Sequence, residues 1–192
     1  VPTFTDHPFR IADIDELFEL LERSAQDHDS PGVEGEAVDQ LAHGLQCAYE
    51  LLLSHPDDDE LQIAGLVHDI GHQLVPGDDA GHGVAAAEAV RELLGDRVAT
   101  LVELHVPAKR YLVATDPAYR SLLSSVSVRT LGNQGGTMTV DEAADLRRRD
   151  GWEDGVALRR ADDRAKTPGR VVFELTWWRP VVERVVAAQR TR

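Results

Sequence analysis

Apolar residues recur three and four positions apart along almost the whole chain, and runs that alternate like a half-buried strand are scarce. A chain with that period can bury its apolar surface only by packing helices on helices, so the fold class it dictates is all-α, a helical bundle with few or no strands. Over 13–25, Ile14, Leu17, Phe18 and Leu21 form one stripe. An acidic, Gly-containing stretch at 27–35 breaks the pattern, and a long helix is expected over 36–54, carrying Leu41, Leu45, Ala48, Leu51 and Leu52. It should end at His55-Pro56, because proline pushes the residue before it out of the helical region. Asp57, Asp58 and Asp59 suit the N-terminus of the next helix, where negative charge and a capping oxygen are both favoured. Further helices are expected over 83–94, 97–104, 118–128, 140–150, 155–166 and 171–188, the last opening on the strand-compatible Val171, Val172 and Phe173. Pro107, which has no N–H to give, predicts a kink or restart just after His105.

Size and composition narrow the class further. With 192 residues, 42% of them hydrophobic, the chain can form a single domain over 1–192 that needs no disulfide, and Cys47 has no partner to form one. No apolar run approaches the roughly 20 residues of a membrane helix, so no membrane partner and a cytoplasmic location are expected, with the oligomeric state left open. A net charge of −14 argues against nucleic acid as a partner, since such binding rests on clustered Lys and Arg facing phosphates.

The chemistry concentrates at His68-Asp69-Ile70-Gly71-His72, at the end of an apolar helix containing Ala64, Gly65, Leu66 and Val67. Two ionisable groups in that setting are costly without a partner, and a metal ion is an economical one. His68 and His72 are one helical turn apart and share a face, while Asp69 is rotated by about 100° and can reach a neighbouring site. A single helix histidine is ordinary, as His7, His28 and His55 are taken to be, and a His-Asp pair is a short motif. The ordered set His43, His68-Asp69, His82, His105 and Asp162 is different: it draws imidazoles and carboxylates from several helices. Such ligands suit iron, manganese or zinc, and a carboxylate can bridge two ions.

That set resembles the HD-domain superfamily, an all-helical family of metal-dependent phosphohydrolases and some oxygenases, over a motif-bearing core of about 36–166. The resemblance implies one ion held by His43, His68, Asp69 and Asp162. A second would be held by His82 and His105, with Asp69 bridging. Asp162 is preferred to Asp163 because the family places a Lys four residues after the ligand, and Lys166 fits. The segments His105-Val106-Pro107-Ala108-Lys109, Ser124-Ser125-Val126-Ser127 and Asn133-Gln134-Gly135-Gly136 look like the mixed-valent di-iron oxygenases of that superfamily. These include myo-inositol oxygenase and the oxygenases that cleave the C–P bond of 1-hydroxyphosphonates.

The branch implies two iron ions (Fe2+/Fe3+), O2 as co-substrate and a small phosphonate substrate, amino- or trimethylammonio-substituted in some members. Lys109 would hold the phosphonate, assisted by Ser127, Gln134 and Arg159. His72 would stand beside the substrate, and Glu36 would meet a cationic far end. Val33 stands where the branch carries a Tyr three residues before that Glu, so no phenol is available there. Two other readings use the same residues. A phosphohydrolase would use the metals to generate hydroxide and clamp a phosphate ester, with Lys109 binding phosphate equally well. A non-catalytic metal-stabilised module would be expected to lack a ligand, and this chain carries the full set.

Overall fold

The computed structural model describes residues 9–26 and 38–191. Among them there is no strand, and the helices are α1 (Ile14–Arg23), α2 (Gln40–Ser54), α3 (Asp59–Val67), α4 (Gly71–Leu74), α5 (His82–Thr115), α6 (Ser125–Asn133), α7 (Val140–Leu146), α8 (Trp152–Arg164) and α9 (Leu175–Gln189). Short 3-10 turns follow α1 and precede α6. Helix starts are written in capping side chains: Asp13 accepts from the Glu16 N–H, Asp39 from Ala42, Asp58 from Leu61 and Ser124 from Ser127. Thr139 and Glu142 close a reciprocal capping box at α7. Of Asp57, Asp58 and Asp59, Asp58 is the cap and Asp59 opens α3, and α2 stops at Ser54 as His55-Pro56 requires. The core runs from Leu17 and Leu21 of α1 through Leu51, Ile63, Val67, Val90 and Val102 to Leu158, Trp178 and Val182. Trp178 is fully buried, while its neighbour Trp177 is 42% exposed. No described helix is long and apolar enough to cross a membrane.

The corner at Gly95 decides the site. His82 and His105 are 23 residues apart, which along a straight helix would be about 34 Å, yet their Nε2 atoms are 3.0 Å apart. Gly95, at φ 89° and ψ 169°, interrupts α5 and turns its second half back along the first. That backbone region is open essentially only to glycine, and a Cβ there would lie 2.1 Å from the Gln189 carboxamide. Gly95→Ala is therefore expected to cost about 1–3 kcal/mol, roughly 2–12 °C in Tm, and to weaken metal binding between His82 and His105. Thermal unfolding and metal titration of the purified variant check both parts. A second glycine acts by size: a Cβ on Gly71 would lie 1.9 Å from the His82 carbonyl oxygen, so only glycine lets α4 pass the start of α5.

Several expected boundaries move. The interruption expected at Pro107 is absent, and helical dihedrals continue through it to Thr115. Its missing hydrogen bond falls on the carbonyl of Glu103, a half-exposed residue on which water can substitute. The helix expected over 118–128 is a 3-10 turn at Tyr119–Leu122 followed by α6, because the Ser124 side chain caps and restarts the chain. The helix begun at Val140 ends at Leu146, short of 150, and a turn with φ 75° at Gly151 leads into α8. Residues 171–174 lie outside α9, where Val171, 92% exposed, has no core to face. Glu36 and Val33 lie outside the described residues, as do His7 and His28.

Candidate metal centre

Four imidazoles and two carboxylates converge from α2, the α3–α4 turn, both halves of α5 and α8. His43, His68, His82 and His105 are each at most 3% exposed. The Asp69 carboxylate lies between them: Oδ2 is 3.3 Å from both His43 Nε2 and His68 Nε2, and Oδ1 is 3.5 Å from both His82 Nε2 and His105 Nε2. Asp162 adds Oδ1 at 3.3 Å from His43 Nε2 and Oδ2 at 3.9 Å from His68 Nε2. The ligand atoms of His43, His68 and Asp69 lie within 4.8 Å of one another, as do those of Asp69, His82 and His105. One carboxylate is thus shared by two groups, one oxygen to each.

The backbone fixes the tautomers. Nδ1 of His68, His82 and His105 each faces the carbonyl three residues upstream, of Gly65, Asp79 and Val102, at 2.8, 2.8 and 2.5 Å. Nδ1 of His43 faces the Ala165 carbonyl at 2.9 Å. A carbonyl only accepts, so each ring carries its proton on Nδ1 and turns an Nε2 lone pair inward. The Nε2 atoms of His43 and His68 are buried with no hydrogen-bond partner. Those of His82 and His105 meet at 3.0 Å, lone pair against lone pair. Two nitrogens bound to one ion at about 2.1 Å and a right angle would stand about 3.0 Å apart. The donor set therefore fits metal ions, which would take up the Nε2 lone pairs of His43 and His68.

Electrostatics agree. Burial pushes the His105 imidazole well below its ordinary pKa, with His82 and His68 adding to the shift, which favours the neutral ring that a metal ion would need. Burial opposes charge on His43 too, but Asp162 and Asp69 hold that ring well above its ordinary value, a demand for positive charge that a metal ion would meet. Burial alone would raise both carboxyls. The surrounding histidines outweigh it at Asp69, and Arg159 and Lys166 outweigh it at Asp162, so both sit well below the carboxylate range.

A pocket opens on the side of Asp69, His82 and His105, lined also by His72, Asp79, Lys109, Val126, Ser127, Thr130, Gln134, Arg159, Asp162 and Lys166. Lys109 is 2% exposed, and its Nζ donates to Thr130 Oγ1 at 2.7 Å and to Gln134 Oε1 at 2.9 Å. Gln134 Nε2 reaches the Asp79 carbonyl at 3.1 Å, the same oxygen that orients His82. Arg110 donates to the carbonyl of Gly136 and to Glu142, pinning the turn that carries Gln134. His72 stacks on the His82 ring, centroids 4.0 Å apart and planes at 15°. Ser127 Oγ is 3.4 Å from Lys166 Nζ, and Arg159 points its guanidinium at Asp162. Asp163 turns away, toward Tyr119 and Arg159.

Of the residues expected from sequence, the six metal-ligand candidates and His72, Lys109, Ser127, Gln134 and Arg159 are brought together here. Thr130, Asp79, Tyr119 and Asp163 were not expected. Thr130 lies one helical turn after Ser127, the signal that could have found it.

The chain matches the HD domain family model over residues 36–147. It is 36% identical over 176 residues to the hydroxymethylphosphonate dioxygenase of Gimesia maris, covering 87% of this chain and 85% of that one. It is 31% identical over 160 residues to the glycine-betaine-forming [1-hydroxy-2-(trimethylamino)ethyl]phosphonate dioxygenase of Leisingera caerulea, covering 79% of this chain and 81% of that one. A shared carboxylate between two sets of inward-facing imidazoles, together with relatives of this similarity and coverage, leads to one assignment: the chain belongs to the HD-domain family, in the branch that contains the phosphonate dioxygenases.

Proposed function

We propose that this protein is a di-iron dioxygenase that cleaves the C–P bond of a small 1-hydroxyphosphonate with O2 and releases phosphate, and that hydroxymethylphosphonate is its substrate. The observation that carries the reading is Asp69 dividing its two oxygens between two histidine pairs, beside an anion subsite built on Lys109. His43, His68, Asp69 and Asp162 would hold one iron, and Asp69, His82 and His105 the other. When bound, the iron pair would relay electrons from the substrate to O2 and offer open positions for O2 and the substrate hydroxyl. Both relatives named above act on 1-hydroxyphosphonates.

The protein's own groups bind and orient. Lys109, with the Thr130 hydroxyl and the Gln134 amide, can take the phosphonate oxygens, since its N–H groups already point at neutral acceptors that an anion outcompetes. His72, stacked on His82, lines the pocket and would stand beside the substrate. Arg159 and Lys166 face Asp162, and Asp69 and Asp79 line the same pocket, so the positive charge that would draw a dianion into a chain of net charge −14 would come from the bound metal ions and from Lys109, whose Nζ donates to neutral acceptors. Substrate size follows from the walls. Among the described residues, Val126 is the only apolar side chain lining the pocket, and no Phe, Tyr or Trp is part of that lining. A trimethylammonium head would want aromatic faces, so the shortest hydroxyphosphonate fits best. For it the balance closes: hydroxymethylphosphonate dianion and O2 give formate, hydrogen phosphate and one proton.

Burial, with Arg159 adding, lowers the Lys109 ammonium to about 7. Charge on that group holds the dianion, and the free protein loses it as pH rises through about 7. kcat/KM is therefore expected to fall close to tenfold per pH unit above that point, with kcat less affected because the bound dianion keeps Lys109 protonated. Initial rates across pH 6–9 at fixed O2 check the sign, about which the alkaline limb is the deciding part. The reading itself is tested by electron paramagnetic resonance of the half-reduced, iron-loaded protein. Adding hydroxymethylphosphonate should shift the signal, and a spectrum indifferent to every hydroxyphosphonate would overturn the assignment.

A further inference from the structure

Arg159 is 4% exposed, and each of its three nitrogens has a partner: Nη1 donates to Asp162 Oδ2 at 2.5 Å, Nε to the Tyr119 hydroxyl at 3.0 Å, and Nη2 to Asp163 Oδ1. The Tyr119 hydroxyl in turn donates to Asp163 Oδ2. Arg159, Tyr119 and Asp163 therefore close a hydrogen-bonded ring, with Tyr119 itself 2% exposed. Tyr119 comes from the 3-10 turn between α5 and α6, on another part of the chain from α8, so the ring ties that turn to the helix carrying Asp162. The other Asp162 oxygen, Oδ1, accepts nothing from Arg159 and stands 3.3 Å from His43 Nε2 and 3.6 Å from Lys166 Nζ.

We propose that Tyr119 and Asp163 are positioning residues for Asp162: they lock the Arg159 guanidinium so that it occupies Oδ2 and leaves Oδ1 alone to face the metal shared with His43 and His68. The inference rests on the reading of Asp162 as a metal ligand. It gives Arg159 to the ligand set and leaves the phosphonate to Lys109, Thr130 and Gln134. A guanidinium is a rigid planar fork, and at one and the same depth it meets the residues three and four positions on along α8. Its third edge needs an acceptor because a buried N–H without one is costly, and the Tyr119 oxygen is that acceptor. With the phenol gone, Nε–H would be orphaned and Asp163 would lose a donor, so the guanidinium could rotate and release Oδ2.

Tyr119→Phe and Asp163→Asn test this, each titrated with ferrous ion against a competing chelator and then half-reduced for electron paramagnetic resonance. Expected are metal binding weaker by about 10–100-fold, the range for groups that orient ligands, and a shifted half-reduced spectrum, which general loosening of the fold would not produce. In turnover, kcat should fall while KM for the phosphonate stays within about twofold. Wild-type metal affinity with a wild-type spectrum would overturn the proposal, whether KM rises, which would return Arg159 to the substrate, or nothing changes. Circular dichroism screens folding, and if Tyr119→Phe fails it, Asp163→Asn decides on the same readings. Should the wild-type protein oxidise no phosphonate at all, the oxygenase reading falls while the metal-affinity comparison still decides this one.

Discussion

Asp69→Asn is expected to empty both metal groups and to lower turnover by on the order of a thousandfold or more, about 4 kcal/mol of lost transition-state stabilisation. The expectation follows from position. Asp69 is the residue whose oxygens face all four inward-turned Nε2 atoms, so no histidine pair keeps its anionic ligand once the charge is gone. Asparagine has the same shape, and its amide can donate to the Nε2 lone pairs that a metal would otherwise take, so the helices should still pack. Metal analysis of the purified variant should find little iron at either position, with circular dichroism unchanged. Retention of one iron per chain would mean that the two groups are independent, against the geometry of the shared carboxylate.

Lys109→Met should have the second largest effect and a different signature. Methionine approximates the length of the lysine stem but carries no charge, so the Thr130 hydroxyl and the Gln134 amide lose the ammonium between them. Charge-assisted contacts to a buried anion contribute on the order of 3–4 kcal/mol, so kcat/KM should drop by about 100- to 1,000-fold, mostly through KM. Iron content should be that of the wild type. Stability should hold or rise, because burial already lowers the Lys109 pKa to about 7, a sign that the folded protein keeps this charge at a cost. A methionine variant that lost iron would place Lys109 in the support of His105, four residues before it, and not in an anion subsite.

The two variants separate what was legible in the sequence from what was not. The His-Asp pair could be found because imidazole and carboxylate are unusual at the end of an apolar helix, whereas His43, His82, His105 and Asp162 are picked out as an ordered set by the resemblance to the HD-domain superfamily, Asp162 over Asp163 by the spacing to Lys166. Their orientation could not be found that way. The groups that fix the rings are backbone carbonyls of Gly65, Asp79, Val102 and Ala165, which have no side-chain identity to read. The helical period placed the break between Leu94 and Arg97 but not its consequence, since the pattern reports which face is buried and not the angle between successive segments. Pro107 misled for the opposite reason: proline is a strong breaker in isolation, but one missing hydrogen bond at a half-exposed turn does not outweigh the packing of α5. Tyr119 and Asp163 were invisible as a pair because 44 residues separate them and neither belongs to a motif.

The central claim is that two irons at this centre use O2 to break a C–P bond, and oxygen dependence tests it most directly. Iron-loaded protein given hydroxymethylphosphonate in a sealed oxygen-electrode cell should consume O2 and release formate and phosphate in equal amounts, and should stop when O2 is removed. Phosphate released from candidate phosphate esters at the same rate under strict anaerobiosis, with no O2 consumed in air, would contradict it and assign the same ligands and Lys109 to a phosphohydrolase.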